Sequence, residues 1–212
     1  MGSATGRADE QPVHPVEVGP FRIGRTPVTN LEYARFLATG RVPEPPWWTH
    51  PAFWAPDQPV VGVTWFDAVA YARWLSETVG GVWRLPTEAE WEWAARGGLE
   101  GAATAWGAAL PLDEVPEGPL AGPWPVGRGM PNGFGLCDMG TVVHEWCLDW
   151  YQPDGYKAPP GARDTPVQGE RRSSRGGSWR HRVRWSSPSA RSSLLPSLRY
   201  ADYGFRVVRE VP

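Results

Sequence analysis

The side chains best suited to binding a partner lie in the last third of the chain. Residues 171–212 contain ten arginines and only two acidic residues, Asp202 and Glu210, a formal charge of about +8 against about −10 for the rest. Residues 180–203 are rich in Arg, Ser, Leu and aromatic side chains and show neither helical nor strand periodicity. An irregular, cationic and aromatic segment is typical of a binding surface, because such side chains bury large areas at limited entropic cost.

Candidate catalytic side chains are few and scattered. Two cysteines, Cys137 and Cys147, are too few for a disulfide framework; they are expected to be buried free thiols, with a local disulfide as the alternative. The four histidines are His14, His50, His144 and His181. His144 is expected to be a hydrogen-bonded core residue, with a metal ligand as the alternative, and no spacing typical of a catalytic triad, a phosphate loop or a metal site is present. The sequence therefore predicts no catalytic residue, no metal and no cofactor.

The composition predicts one compact domain with much irregular backbone. A chain of 212 residues can bury a sizeable core, and its 14 tryptophans need one. The 25 glycines and 24 prolines indicate many turns. We expect a mobile N-terminal lead over residues 1–15 and a single domain over residues 16–212. The bias towards Arg, Pro and Trp further suggests a thermostable protein.

The elements that must position the irregular segment are three helices and several short strands. Each helix is expected to begin at a capping threonine: Thr29 or Thr26, then Thr64 with Asp67, then Thr87 with Glu90. Short strands are expected over residues 16–25, 60–64, 142–150, 174–179 and 204–208. The last two strands flank the irregular segment.

Nine short strings, in order, resemble the formylglycine-generating-enzyme type of C-type lectin fold, the sulfatase-modifying-factor domain. They are Gly24-Arg-x-Pro-Val-Thr-Asn30, Pro59-Val-Val-Gly-Val-Thr-Trp65, Arg84-Leu-Pro-Thr-Glu-Ala-Glu-Trp91, Ala94-Ala-Arg-Gly-Gly98, Asn132-Gly-Phe-Gly-Leu136, Asp138-Met139, Glu145-Trp146, Arg175-Gly-Gly-Ser-Trp179 and Gly204-Phe-Arg206. The resemblance spans residues 16–209 and implies an α+β, C-type lectin-like fold with short strands, two or three helices and much irregular loop.

The same strings are expected to build the scaffold rather than to perform chemistry. The carboxylates of the third string can neutralise core-facing arginines such as Arg84, Arg175 or Arg206. The residues given a scaffold role are Arg84, Glu88, Glu90, Trp91, Glu145, Trp146, Arg175, Trp179, Arg191, Arg199, Phe205 and Arg206.

The resemblance also shows which enzymatic chemistry this chain lacks. The name-giving enzymes oxidise a substrate cysteine with copper held by two cysteines a few residues after Arg-Gly-Gly-Ser, because thiolates suit Cu(I). Residues 179–186 contain no cysteine, and His181 and Ser186 fall near the expected positions. The family's Gly-Asn after Asp-Met, a calcium ligand, is replaced by Thr141-Val142. The iron-dependent sulfoxide-forming branch needs an added helical domain with clustered His and Glu ligands, whereas the four histidines of this sequence are scattered and show no facial-triad spacing.

The chain most resembles the variable proteins of diversity-generating retroelements, in which adenine-directed mutagenesis rewrites a C-terminal region, here residues 179–206. Asn-type template codons mutated only at adenines cannot encode Lys, Glu, Gln, Met or Trp. Residues 180–203 contain none of these except Trp185, and Arg191, Pro196 and Arg199 have the spacing of fixed positions. The expected variable surface comprises Arg180, His181, Arg182, Arg184, Trp185, Ser193, Leu194, Leu195, Ser197, Tyr200, Asp202 and Tyr203. The alternative is that several of these side chains, Leu194 and Leu195 above all, pack inward.

Three functions therefore compete. The first is a non-catalytic protein whose variable surface binds an unknown ligand, a protein or another macromolecule. The second is an inactive or differently active relative of the formylglycine enzymes, and the third is a module for nucleic acid or another anionic polymer. No stretch of 18 apolar residues and no signal peptide is visible, which predicts no membrane insertion and a cytoplasmic or phage-associated protein.

Overall fold

The computed structural model describes residues 1–107, 121–158, 168–181 and 187–211. Three helices are present: α1 (Asn30–Leu37), α2 (Trp65–Val79) and α3 (Glu88–Arg96). The strands are β1 (Phe21–Ile23), β2 (Trp83–Arg84), β3 (His144–Trp150), β4 (Arg172–Arg175), β5 (Arg191–Leu194), β6 (Tyr203–Gly204) and β7 (Val208–Glu210). No helix within these ranges combines the length and the apolar character needed to cross a membrane.

All three helices begin as the sequence predicts. Each is preceded by a threonine whose side chain accepts a hydrogen bond from the backbone of the third helical residue, while that residue's carboxylate accepts from the threonine backbone. These capping boxes satisfy N–H groups that would otherwise have no partner at a helix start. Gly97 ends α3 in the left-handed conformation, with φ of +56°, which glycine adopts without steric cost.

The strands form two small sheets. The first has the order β1-β7-β2 and is antiparallel, so the last strand lies between two strands from the first half of the chain. The second has the order β5-β4-β3-β6, in which β6 runs parallel to β3. β4 pairs with β3 on one side and β5 on the other, and Arg175 lies opposite both Glu145 and Arg191. The second sheet therefore holds the chain just before residue 179 and again near residue 204.

Two expected strands differ from the structure. Residues 60–64 are buried but form no strand, because Gly62 turns the backbone with φ of +72° and its N–H donates to the carbonyl of Tyr200. Residues 204–208 divide between β6 and β7, since Phe205 and Arg206 cross from one sheet to the other.

The outer strand predictions also need correction. The expected strand over 16–25 shortens to β1, and the one over 174–179 shifts to β4, which begins at Arg172 and ends where Gly176 takes a φ of +77°. The segment 180–203, expected to be irregular, contains β5, whose residues pair one-to-one with β4. The sequence of β5 does not alternate between polar and apolar side chains. This strand forms because its backbone pairs with β4.

The principal core joins α1 and α2 to the Gly-Phe-Arg string. The rings of Tyr33 and Tyr71 stack with centroids 5.8 Å apart, and the ring of Phe205 lies 5.3 Å from that of Tyr71. All three side chains are buried. Cys137 and Cys147 are buried free thiols, as predicted. The end of the segment 179–206 is thus embedded in the core rather than attached to the surface.

The N-terminal residues, for which a mobile lead over 1–15 is expected, make hydrogen bonds to the rest of the domain. The N–H of the buried Gly2 donates to the Glu92 carboxylate at 2.8 Å. The Glu10 carboxylate accepts from the Ser189 hydroxyl at 3.0 Å. These contacts could not be predicted from hydrophobic pattern, because the N-terminal residues are mostly small or polar. They bind charged and polar groups that come together only in the folded domain.

Candidate functional site

The segment 179–206 is held at its start by a buried tryptophan. Trp179 is buried, and its backbone N–H donates to the carbonyl of Val142 at 3.0 Å. The indole N–H donates to the carbonyl of Ala201 at 3.1 Å, and Phe53 packs 5.9 Å from the ring. Trp179 therefore links the beginning of the segment directly to its end.

A buried ionic network holds the middle of the segment. The Glu88 carboxylate accepts from Arg175 Nε at 2.9 Å and from Arg191 Nε at 2.8 Å. Arg175 also donates to Glu92 at 3.1 Å. Burial alone would raise the pKa of Glu88, but the two guanidinium groups and the Ser173 hydroxyl outweigh it and lower the pKa to about 2. β4, β5 and α3 are thereby tied to one carboxylate.

A second buried pair closes the segment. Arg206 and Glu145 are both fully buried, and two hydrogen bonds of 2.5 and 2.8 Å join them. Arg84 pairs with Glu90 at 2.6 Å, as expected. Carboxylates of α3 thus neutralise Arg84 and Arg175, as expected. The partner of Arg206 is Glu145 on β3 and not a carboxylate of α3.

Burial divides the expected variable surface into three groups. The exposed side chains are Arg180, His181, Ser197 and Tyr200, while Ser193 and Leu195 are half-buried. Leu194, Asp202 and Tyr203 are buried, which corrects their expected exposure. Leu194 packs in the principal core, and Tyr203 packs against Trp146 at 5.0 Å. Arg182, Arg184 and Trp185 lie outside the described residues.

Two of the exposed side chains, Tyr200 and His181, lie beside the buried rings of Tyr203 and His144. The ring of Tyr203 lies 6.0 Å from that of Tyr200 and 4.9 Å from that of His144. His144 in turn lies 5.2 Å from the ring of His181. Residues from both ends of the segment therefore converge on one place above β3.

Three side chains with potential metal-ligand atoms lie close together at this place, and no sequence pattern predicted this cluster. One atom each from His144, His181 and Asp202 lies within 4.8 Å of the others. His144 Nδ1 donates to the carbonyl of Gly176 at 2.7 Å, so the expected hydrogen-bonded core histidine is present. Burial lowers the pKa of His144 to about 4, although the Asp202 charge opposes this. The three residues lie on separate segments, so no spacing motif could have revealed the cluster.

The residues present do not fit the copper site that the resemblance implies. Both thiols are in the body of the domain: Cys147 is fully buried in the cluster around Trp91, and burial raises its pKa well above the usual range. The stretch after Arg-Gly-Gly-Ser supplies no thiol. The calcium position does not fit either, because Val142 is buried among apolar side chains that include Trp179.

Asp149 gives the stability of the domain a distinct pH dependence. Burial, followed by the Glu88 charge, raises the pKa of Asp149 to about 7 from an ordinary value of 3.8. The folded state therefore binds this proton more tightly than the unfolded state, and stability from this group falls as pH rises from about 4 to 7.

Replacing Asp149→Asn removes this titration while retaining a side-chain oxygen for the Glu88 N–H. We expect the free energy of unfolding of the variant, relative to the parent, to increase steadily between pH 4 and pH 7. Urea unfolding at several pH values measures this, with Asp154→Asn at an exposed carboxylate as control. A difference that is constant with pH would contradict the assignment.

The fold and these anchoring interactions define a C-type lectin-like domain. The chain belongs to the sulfatase-modifying factor enzyme 1-like domain family, whose model matches residues 1–211. It is 35% identical over 281 residues to the formylglycine-generating enzyme of Streptomyces coelicolor, covering 99% of this chain and 86% of that one.

Two solved structures are similar over almost the whole chain. PvdO from Pseudomonas aeruginosa superposes with a TM-score of 0.84 at 30% identity, covering 100% of this chain and 90% of that one. Variable protein 1 of Treponema denticola superposes with a TM-score of 0.82 at 24% identity, covering 99% and 91%. The second likeness is one of fold.

Proposed function

We propose that this domain is a non-catalytic ligand-binding protein whose residues 179–206 form the variable region of a diversity-generating retroelement target. The observation that carries the proposal is the separation of roles within that region. Trp179, Arg191 and Arg206 are buried and bound to the scaffold, whereas Arg180 and Tyr200 are exposed. Exposed side chains on a fixed backbone can be exchanged without loss of the fold.

Arg199 is an expected invariant position, and its contacts hold the backbone of the variable region in place. Its guanidinium forms an ion pair with Asp67 at 2.8 Å and donates to the carbonyl of Gly62 at 2.9 Å. It therefore binds the chain between Ser197 and Tyr200 to the start of α2. The similarity of fold to the Treponema denticola variable protein agrees with this use of the scaffold.

The charge distribution argues against nucleic acid or another anionic polymer as the ligand. It favours a ligand that is bound by local contacts with individual side chains. Among the described arginines of the last third, Arg175, Arg191, Arg199 and Arg206 are neutralised by buried carboxylates. Arg172 is stacked between two tryptophan rings, 3.5 and 3.8 Å from their centroids. The formal charge of this part therefore produces a weaker surface field than its composition indicates.

Sequencing the coding region across a cell population tests the proposal. We expect substitutions at codons for Arg180, His181, Ser197 and Tyr200, confined to positions where a template copy has adenine. Codons for residues 16–178 from the same molecules provide the matched control and should be invariant. An invariant segment 179–206 would reject the retroelement assignment and favour another role for the family scaffold.

A further inference from the structure

We propose that His144, His181 and Asp202 form a binding site for a divalent first-row transition-metal ion of the Zn²⁺ type. This inference goes beyond the proposed function and is tested separately from it. Two imidazoles and one carboxylate are a ligand set that such ions accept, and three protein ligands leave coordination positions open to an external group.

The geometry of His144 favours metal binding. Its Nδ1 lies 2.7 Å from the carbonyl oxygen of Gly176, which can only accept a hydrogen bond, so Nδ1 carries the proton. Nε2 is then left with its lone pair. A ligating histidine commonly has its other ring nitrogen bonded to a carbonyl in this way, because the bond fixes the ring and the tautomer. Gly176 of the Arg-Gly-Gly-Ser-Trp string thus orients the first ligand.

Asp202 supplies the second independent observation. Its side chain is buried, and Oδ2 accepts a hydrogen bond from the Ser178 hydroxyl at 3.0 Å. Oδ1 is also buried but accepts no hydrogen bond from any described residue. Arg180 Nη1 lies 3.9 Å away, beyond hydrogen-bond distance. A buried carboxylate oxygen without a partner is costly, and a bound cation would satisfy it.

His181 completes the site as its movable member. Its side chain is exposed, and its ring lies 5.2 Å from that of His144. The three candidate ligand atoms lie within 4.8 Å of one another. Tetrahedral Zn²⁺ at about 2.1 Å from each ligand brings them to about 3.4 Å. Rotation of the exposed His181 ring can supply the part of this contraction that involves His181, and a small shift of the His144 or Asp202 side chain supplies any remainder.

The consequence is a metal ion at the edge of the exposed surface, beside Arg180. Its open coordination positions would accept a carboxylate, phosphate or imidazole of a ligand. Because His181 lies within residues 179–206, exchanging this one position would create or remove the site without altering His144, which lies on β3.

Titration of tag-free, chelator-treated protein with Co²⁺ and Zn²⁺ tests the site. We expect one ion per chain, visible Co²⁺ absorption typical of nitrogen and oxygen ligands, and a Tm that rises with Zn²⁺. His181→Ala, at an exposed position, should fold normally and bind at least tenfold more weakly. Asp202→Asn should weaken binding similarly, while Ser178→Ala should weaken it less.

His50→Ala is the matched control, since His50 is an exposed histidine outside the cluster. It should bind the metal like the parent. Arg180→Ala should bind equally or more tightly, because removing the cation leaves Asp202 more available. The absence of stoichiometric binding, or binding that is unchanged in His181→Ala and Asp202→Asn, would overturn the proposal.

Discussion

Replacing Arg206→Met is expected to lower the free energy of unfolding by about 3–5 kcal/mol, because the substitution leaves the Glu145 carboxylate buried without its cation. Arg206 is fully buried and donates to Glu145 as well as to the carbonyls of Gly24 and Cys137. For a domain of this size the loss corresponds to a fall in Tm of roughly 10 °C. Chemical unfolding of parent and variant at pH 7 measures it.

Arg84→Met provides the matched control. Arg84 makes the same type of bidentate pair with the buried Glu90, but the Arg84 side chain is 24% exposed, so water can reach the carboxylate that it leaves and the expected cost is about 1–2 kcal/mol. Adding Glu145→Gln to Arg206→Met should recover part of the loss, because the uncompensated charge is removed while the Trp91 indole keeps an acceptor. Equal effects of Arg206→Met and Arg84→Met would contradict the role assigned to burial.

Replacing Gly176→Ala is expected to cost about 3–5 kcal/mol, the second large effect. Gly176 has φ of +77°, and an added Cβ would lie 2.8 Å from the Cα of Gly140 and 3.2 Å from the Trp91 ring. The unfavourable backbone conformation and the overlap with neighbouring backbone each cost about 1–3 kcal/mol. Thermal and urea unfolding give the magnitude.

Gly135→Ala separates these two causes. Gly135 has the same φ of +77°, but a Cβ added there would meet no atom of the described residues within 4 Å. Only the conformational cost of about 1–2 kcal/mol should remain. If both alanine variants lost the same stability, close packing of Gly176 on Gly140 would not be the reason for this glycine.

The helices were predictable because their signals are local. Thr29, Thr64 and Thr87 each precede, by three residues, the carboxylate that completes the cap, and the glycines at 80 and 97 mark two of the ends. Such patterns act within one helical turn, so they need no knowledge of the remaining chain. The resemblance of nine strings to one family supplied the overall architecture.

The strand pairing and the burial of the segment 179–206 were not predictable in the same way. The sequence Arg-Ser-Ser-Leu of β5 has no strand-like alternation; it becomes a strand because β4 pairs with it and Glu88 binds Arg191. Leu194 is buried for the same reason. The cluster of His144, His181 and Asp202 depends on the parallel pairing of β6 with β3, which no local pattern indicates.

The position of β7 has a consequence for folding during synthesis. β7 lies between β1 and β2, so the first sheet cannot form until residues 208–210 have left the ribosome. Pairing the first strand with the last gives many contacts between distant parts of the chain, which slows folding. A chain interrupted before residue 203 lacks both β6 and β7, and its unpaired strand edges make it prone to aggregation. Only chains that include β7 can therefore complete the first sheet.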